Sequence, residues 1–375
     1  MRILLLAPRF SRSSPVQGAW VLARHVHRCG EEVIFAALEG GGQMELLEGA
    51  SDAGPILHEF DMNSWRALNR LGRVRDFVQA AGVDVVVSYA IRPDLVNTAL
   101  KGRCLRVCSV REDFDAWPRR YGSLKGRLAA RTMLRIWNSV DLVITQTTAQ
   151  SEQLRVNGVR TKTVTVPNFV DVDGIHSAIS GTRNHYSPLD QVQIGYFGRL
   201  SRTKRVDLTL EAIARLSPAA LSKVRYELAG DGPEREVLER QALSLGISER
   251  VTFHGHLDSP FGLMNRMSIV LLASESEGVP RCLMEAMALG KTCIATDLPG
   301  TRALIEHGVT GYLVPQGDYE ALARQMETAI RGDDLLAPAA PEQHIRANHD
   351  VEVCGDRFLS YLRELVAERA FAPVR

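Results

Sequence analysis

Short apolar runs alternate with longer stretches of helical period along this chain. Ile3 to Leu6 is wholly apolar and breaks into the Ser/Pro/Gly-bearing loop APRFSRSSPVQGAW, after which helical spacing over about 19–29 leads to a second run, Glu32–Ala37. Continuous apolar runs of this length mark strands buried on both faces, and the order strand, loop, helix, strand opens a doubly wound α/β domain. Ligands of such domains gather outside the C-terminal ends of the strands, which makes the loop carrying Gly18 a candidate ligand wall. Further strands are expected at Val83–Ser88, Leu105–Val110 and Leu142–Thr145. The polar stretch 175–190 then reads as a linker, and the alternation restarts. QIGYFGRL runs a strand into Gly198, SRTKRVDLTLEAIARL turns amphipathic, and YELAGDGPERE ends a strand in the turn at Gly230. The pattern predicts an α/β chain of two similar domains, 1–185 and 186–350, followed by a last helical segment, 351–375.

The stretch 270–301 carries most of the chemistry. Val270, Leu271 and Leu272 form a buried strand that opens through Ala273 and Ser274 into a loop with Glu277, Gly278, Val279 and Pro280. Glycine lets backbone approach a ligand and proline suits the first helical position, so a helix is expected from Pro280 to about Leu289, stopped by Gly290. Its apolar face is Leu283, Met284 and Met287. Glu285 lies about 130° from the centre of that face, which on its own reads as a solvated helix glutamate. Upstream, Arg199 at a strand end and Lys204 at the mouth of the next helix suit an anion, most simply phosphate, although two solvated loop cations fit the same spacing. His254 and His256 have the spacing of a metal pair but lack a third ligand, so strand-end packing or a backbone-dominated base contact fits better. Arg111, Glu112 and Asp113 follow the strand at Ser109-Val110, a charged strand end that serves either a site or local ion pairs.

Composition narrows the classes. The chain has 375 residues, 45% of them hydrophobic, and a net charge of +1, which gives nucleic acid no electrostatic foothold. Charge is split: Lys and Arg outnumber Asp and Glu by six up to residue 185 and are outnumbered by five after it. Ten basic and three acidic residues lie between Lys101 and Arg135, mixed with Leu124, Leu128, Met133, Leu134, Ile136 and Trp137. That stretch suits an anionic membrane surface or an ordinary solvated helix. Six cysteines without CxxC spacing point to free thiols in a reducing compartment. MRILLLAP is too short for a signal core and no run approaches a spanning helix, so a soluble or peripheral protein is expected. GxGxxG is absent, which disfavours a dehydrogenase.

Taken together, GR…K, AGDGP, FHG, the two glutamates Glu277 and Glu285, ATDLPG and HGVTGYLV resemble the retaining glycosyltransferases of family 4. The resemblance is dense over 190–320 and weaker through MRILLLAP, GAWVLARHVHRCGEEVIFA, DLVITQTTAQSEQL and VPNFVDVD. It implies the GT-B fold: two Rossmann-like doubly wound domains facing across a cleft, with VEVCGDRFLSYLRELVAER crossing back to the first domain. It also implies that the second domain holds a nucleotide-diphosphate sugar as donor, with no cofactor and no metal. By position, Arg199 and Lys204 would grip the diphosphate, Glu277 with the amides of Gly278 and Val279 would hold the sugar and departing phosphate, and Glu285 would receive the ribose hydroxyls. Gly18, Gly198, Gly230 and His256 complete the implied donor set. The acceptor would be a glycan or lipid-linked molecule of cell-envelope or exopolysaccharide synthesis, met in the cytoplasm or at the inner face of its membrane. Departures fall at Arg205, where glycine is usual, at Gln17-Gly18 in place of Gly-Gly, at VREDFD in place of a histidine motif, and at Arg302-Ala303. Arg111, Glu112 and Asp113 are then acceptor-side candidates. Transfer to a small soluble acceptor, another GT-B reaction and a catalytically silent binding protein stay open.

Overall fold

The computed structural model describes residues 1–11, 14–41, 54–63, 71–111, 114, 123–180, 191–332 and 336–371. The chain forms two compact units, Met1–Phe169 with Val351–Arg375, and Val170–Asp350.

In the first unit seven parallel strands, β1 (Arg2–Ala7), β2 (Glu32–Ala37), β3 (Ile56–Glu59), β4 (Val85–Tyr89), β5 (Leu105–Ser109), β6 (Leu142–Thr145) and β7 (Thr163–Thr165), take the order β3-β2-β1-β4-β5-β6-β7. β1 shows why a continuous apolar run is needed. Ile3 and Leu5 enter the core shared with Trp20 and Phe35, while Leu4 and Leu6 enter the opposite core with Ile34, Val74 and Val78. The first helix spans Ser14–Arg28, about five residues earlier than expected, because Pro15 fits the first turn and Val16, Ala19, Trp20 and Ala23 are already buried. Gly18 is therefore buried inside a helix rather than placed in a loop wall. Helix Val351–Phe371 belongs to this unit, burying Val351, Cys354, Phe358 and Leu362 in the core that holds Ala19, Trp20 and Ala23.

In the second unit six parallel strands, β8 (Val192–Phe197), β9 (Val224–Ala229), β10 (Val251–Gly255), β11 (Ile269–Leu272), β12 (Thr292–Thr296) and β13 (Tyr312–Val314), take the order β10-β9-β8-β11-β12-β13. Both sheets reverse direction beside their first strand, between β1 and β4 and between β8 and β11. Such switch points are where loops diverge and leave a crevice for a ligand. The second unit begins at Val170, ahead of the expected boundary at 185, because Val170, Val172 and Ile175 pack into its core. All six cysteines are free thiols. Among the described residues no helix is long and apolar enough to cross a membrane.

Candidate functional site

The switch point of the second unit is built from the loops after β8 and β11. The loop after β8 is laced to its neighbours through backbone: Gly198 N donates to Ala229 O at 2.9 Å, Leu200 N to Asp231 O at 2.9 Å, and Gly230 N to Gly255 O at 2.8 Å. A β-carbon at Gly230 would overlap the Gly198 carbonyl, so glycine at 230 lets these strand ends touch. Arg202–Lys204 then forms one 3-10 turn, closed by Arg205 at φ 48° and ψ 42°. A non-glycine residue in the left-handed region is disfavoured. Here the Arg205 guanidinium binds Asp207 at 2.9 Å and Glu275 at 3.0 Å, which offsets the strain and ties the turn to the loop after β11. A second tie is Glu275 N donating to Thr203 O at 2.9 Å.

That junction places Lys204 against Glu277. Lys204 Nζ lies 2.6 Å from Glu277 Oε1, and the fully buried Ser274 Oγ donates to the same oxygen at 2.6 Å. Glu277 is 9% exposed and Lys204 25%. Burial alone would lower the Lys204 ammonium, but the charge of Glu277 and the hydrogen bond to it raise it above the ordinary lysine value, so the cation is fixed. Arg199 is exposed at the end of β8, and its guanidinium has no ion-pair or hydrogen-bond partner among the described residues. The backbone beneath it is anchored, with the buried Tyr196 hydroxyl donating to Arg199 O at 2.9 Å.

The helix after this loop spans Arg281–Ala288. Its faces are covered on both sides: Leu283, Met284, Ala286, Met287 and Ala288 are all buried. Glu285 is consequently not a solvated helix glutamate. It is 13% exposed and accepts from Arg281 Nε at 2.7 Å. Burial pushes the neighbouring Cys282 thiol up to about 12, so it is inert at neutral pH. The loop Glu277–Val279 is held from below by Gly300, where a β-carbon would overlap the Gly278 carbonyl oxygen. Thr301 fixes that support, its hydroxyl donating to Thr296 O at 2.6 Å and accepting from Leu298 N at 2.9 Å.

The structure thus gathers Lys204, Glu277, Gly278, Val279, Gly198, Gly230 and Arg199 on the loops at one end of a single sheet, with Glu285 on the helix that leaves it. His256 sits past the edge strand β10, 60% exposed, with its ring 3.8 Å from Asp258. His254 pairs separately with Glu227 at 2.6 Å, so the two histidines do not act together. Gly18 and Arg111 belong to the first unit. Arg111 lies 5.2 Å over the Tyr89 ring and donates to Asn168 at 3.0 Å, near the switch point of that sheet. Glu112 and Asp113 lie outside the described residues. Sequence reasoning missed Ser274, Glu275, Arg281 and Gly300. Of these, Gly300 alone left a signal, in the LPG turn.

Chemically, a buried carboxylate that orients an ammonium, beside an exposed guanidinium and glycine-rich backbone, suits a polyanion whose charge grows during reaction. Residues 182–343 match the family described as glycosyl transferases group 1, and residues 15–168 match the glycosyl transferase 4-like domain. The chain is 34% identical over 140 residues to the N-acetyl-alpha-D-glucosaminyl L-malate synthase of Bacillus anthracis, covering 37% of this chain and 36% of that protein. It is 29% identical over 178 residues to a GalNAc-alpha-(1->4)-GalNAc-alpha-(1->3)-diNAcBac-PP-undecaprenol alpha-1,4-N-acetyl-D-galactosaminyltransferase of Campylobacter jejuni, covering 46% of this chain and 47% of that protein. These matches span a third to a half of the curated relatives. In three dimensions the chain is similar to Alr3699/HepE of Anabaena, solved in complex with UDP, with a TM-score of 0.79 at 22% identity over 97% of this chain and 100% of the other.

Proposed function

Because this chain belongs to the GT-B glycosyltransferases of family 4, we propose that it transfers a hexose from a nucleotide-diphosphate sugar to a glycan or lipid-linked acceptor in polysaccharide or cell-envelope synthesis. The observation that carries the reading is the Lys204–Glu277–Ser274 cluster at the β8/β11 switch point, with the unpartnered Arg199 beside it. Breaking the anomeric bond leaves a diphosphate with growing negative charge. Arg199 and Lys204 receive that charge, so they stabilise the transition state more than the bound donor. The amides of Gly278 and Val279 reach the leaving phosphate. Glu277, besides holding Lys204, favours the positive charge that develops on the sugar ring. Glu285, once shared between Arg281 and the donor, receives the ribose hydroxyls.

In this reading the reaction retains the anomeric configuration, the leaving phosphate takes the acceptor proton, and no divalent ion bridges the diphosphate because the two cations neutralise it. The first unit supplies the acceptor side, with Arg111 as its anion-binding group. Helix Ser123–Trp137 exposes Arg127, Arg131 and Arg135 together with Leu128, which is 67% exposed, a face suited to an anionic membrane and hence to work at the cytoplasmic surface. Support for a lipid-linked acceptor comes from the undecaprenol-linked substrate in the name of the Campylobacter relative; the malate in the name of the Bacillus relative supports the second reading, a small soluble acceptor.

The test is a panel of UDP-, GDP- and ADP-sugars offered with lipid-linked and soluble acceptors, with and without added Mg²⁺ or Mn²⁺, followed by nucleotide release and by the anomeric configuration of the product. Acceptor-dependent release with an α-product from an α-donor, unaffected by the added ions, is expected. Nucleotide-sugar binding with no release under any pairing would instead mark a silent binding protein, and an inverted product would overturn the retaining mechanism.

A further inference from the structure

Away from these loops, the helices Ser14–Arg28 and Val351–Phe371 of the first unit pack together and bring four ligand-type side chains to one place. His25 and Cys29 stand four residues apart on one segment, and Glu352 and Asp356 four apart on the other. His25 Nε2 lies 3.1 Å from Asp356 Oδ1 and 3.5 Å from Cys29 Sγ, and Cys29 Sγ lies 3.9 Å from Asp356 Oδ1. Zinc bonds of about 2.0–2.1 Å to nitrogen or oxygen and about 2.3 Å to sulfur give tetrahedral edges of about 3.4 Å between nitrogen and oxygen and about 3.6 Å to sulfur. The three observed distances bracket those edges. The His25 ring is 2% exposed, and a β-carbon at position 355 would overlap it, so Gly355 makes the space in which it stands.

We propose that His25 Nε2, Cys29 Sγ and Asp356 Oδ1 form a three-ligand site for Zn²⁺, with Glu352 as the carboxylate behind the imidazole. His25 Nδ1 is buried without a hydrogen-bond partner, and Glu352 Oε1 lies 3.6 Å from it. A ligating histidine ordinarily donates its second nitrogen to such a carboxylate. A plain histidine–carboxylate contact between packed helices accounts for Asp356 alone, whereas here the thiol also reaches both His25 and Asp356 and a second carboxylate stands behind Nδ1. A thiol in the set excludes Mg²⁺ and Ca²⁺, which take oxygen ligands, and selects a softer ion. Coordination takes the thiolate and releases its proton to solvent. The bound ion would join the helix that opens the first unit to the helix that completes it.

The experiment uses tag-free full-length protein, stripped with a chelator and dialysed, then titrated with Co²⁺ as a spectroscopic probe and with Zn²⁺ against a chromophoric competitor. One ion per chain is expected, with a thiolate-to-cobalt charge-transfer band. Cys29→Ser should abolish that band and weaken Zn²⁺ at least tenfold, Asp356→Asn should weaken Zn²⁺ similarly, and Glu352→Gln should cost about 10–100-fold. Cys29, Asp356 and Glu352 are exposed, and an unchanged far-ultraviolet circular dichroism spectrum checks that each variant is folded. Failure of the wild type to bind above background, or equal affinity in wild type and Cys29→Ser, overturns the site.

Discussion

Replacing Lys204 with alanine removes the cation that the switch-point loops are arranged around, and its effects on stability and on turnover can be separated. Glu277 Oε1 receives Lys204 Nζ and Ser274 Oγ, each at 2.6 Å, and the carboxylate is 9% exposed. Taking one partner from a buried pair costs about 3–5 kcal/mol when the other charge is left dry. Lys204 is 25% exposed, so water enters in its place and Ser274 stays bonded, which brings the expectation to about 1.5–3 kcal/mol, the range for a hydrogen bond to a charged group. Urea unfolding at neutral pH reads that loss. Catalysis should suffer separately, because the diphosphate loses a fixed cation: turnover falls at least tenfold, about 1.4 kcal/mol of barrier. Glu277→Gln keeps the shape and loses the charge. If carboxylate and ammonium act as one unit, the double variant should be little worse than either single one. Acceptor-dependent nucleotide release under saturating donor is the assay. Normal turnover in Lys204→Ala, or simple additivity of the two losses, would refute the reasoning.

Two further substitutions probe features with other physical origins. Gly300→Ala would drive a methyl into the Gly278 carbonyl; it should cost about 1–3 kcal/mol in urea unfolding and lower turnover by shifting Glu277–Val279, and an unchanged donor KM and kcat would show that the loop does not depend on this support. Asp94 is buried, accepts from Ser88 Oγ at 2.6 Å and Trp137 Nε1 at 3.3 Å, and burial pushes its carboxyl up to about 7 despite those bonds. The folded state therefore holds a proton that the unfolded state has lost above about 4, and the stability that Asp94 contributes should fall as pH rises from about 4 to 7 and level off beyond. Asp94→Asn removes that fall. Its stability relative to the wild type, followed by urea midpoints, should rise over the same window by up to about 4 kcal/mol, and a difference that is flat with pH would contradict the assignment.

How much of this was legible in the sequence depends on whether a feature is local. The strand Ile3–Leu6 was, because alternate residues feed two cores and all must be apolar. Ile56–Glu59 and Thr163–Thr165 were not, since short edge strands with partly exposed residues leave no apolar run. The first helix was misjudged at its start because Ser14 and Pro15 belong equally to loops and to first turns. Glu285 looked solvated because helical angles show which residues share a face but not that a second layer covers the opposite one. Lys204 and Glu277 are 73 residues apart, and only the pairing of β8 with β11 makes them neighbours, a fact of strand order that the residues imply through resemblance alone. Arg205 was visible as a departure from glycine. Its two carboxylate partners, which let an arginine occupy a left-handed position, were not.

The division of the chain at Val170 and Asp350 also constrains the order of folding. Val170 and Asp350 form an isolated parallel bridge, with Val170 N donating to His349 O at 3.0 Å, so the segment between them starts and finishes at one point like an inserted domain. During synthesis that segment is complete once residue 350 has left the ribosome, whereas the first unit still lacks Val351, Cys354, Phe358, Leu359, Leu362 and Leu365 from its core. The half that begins first is thus the half that finishes last, and until the last helix docks, the apolar groove beside Trp20 is open to whatever binds nascent chains.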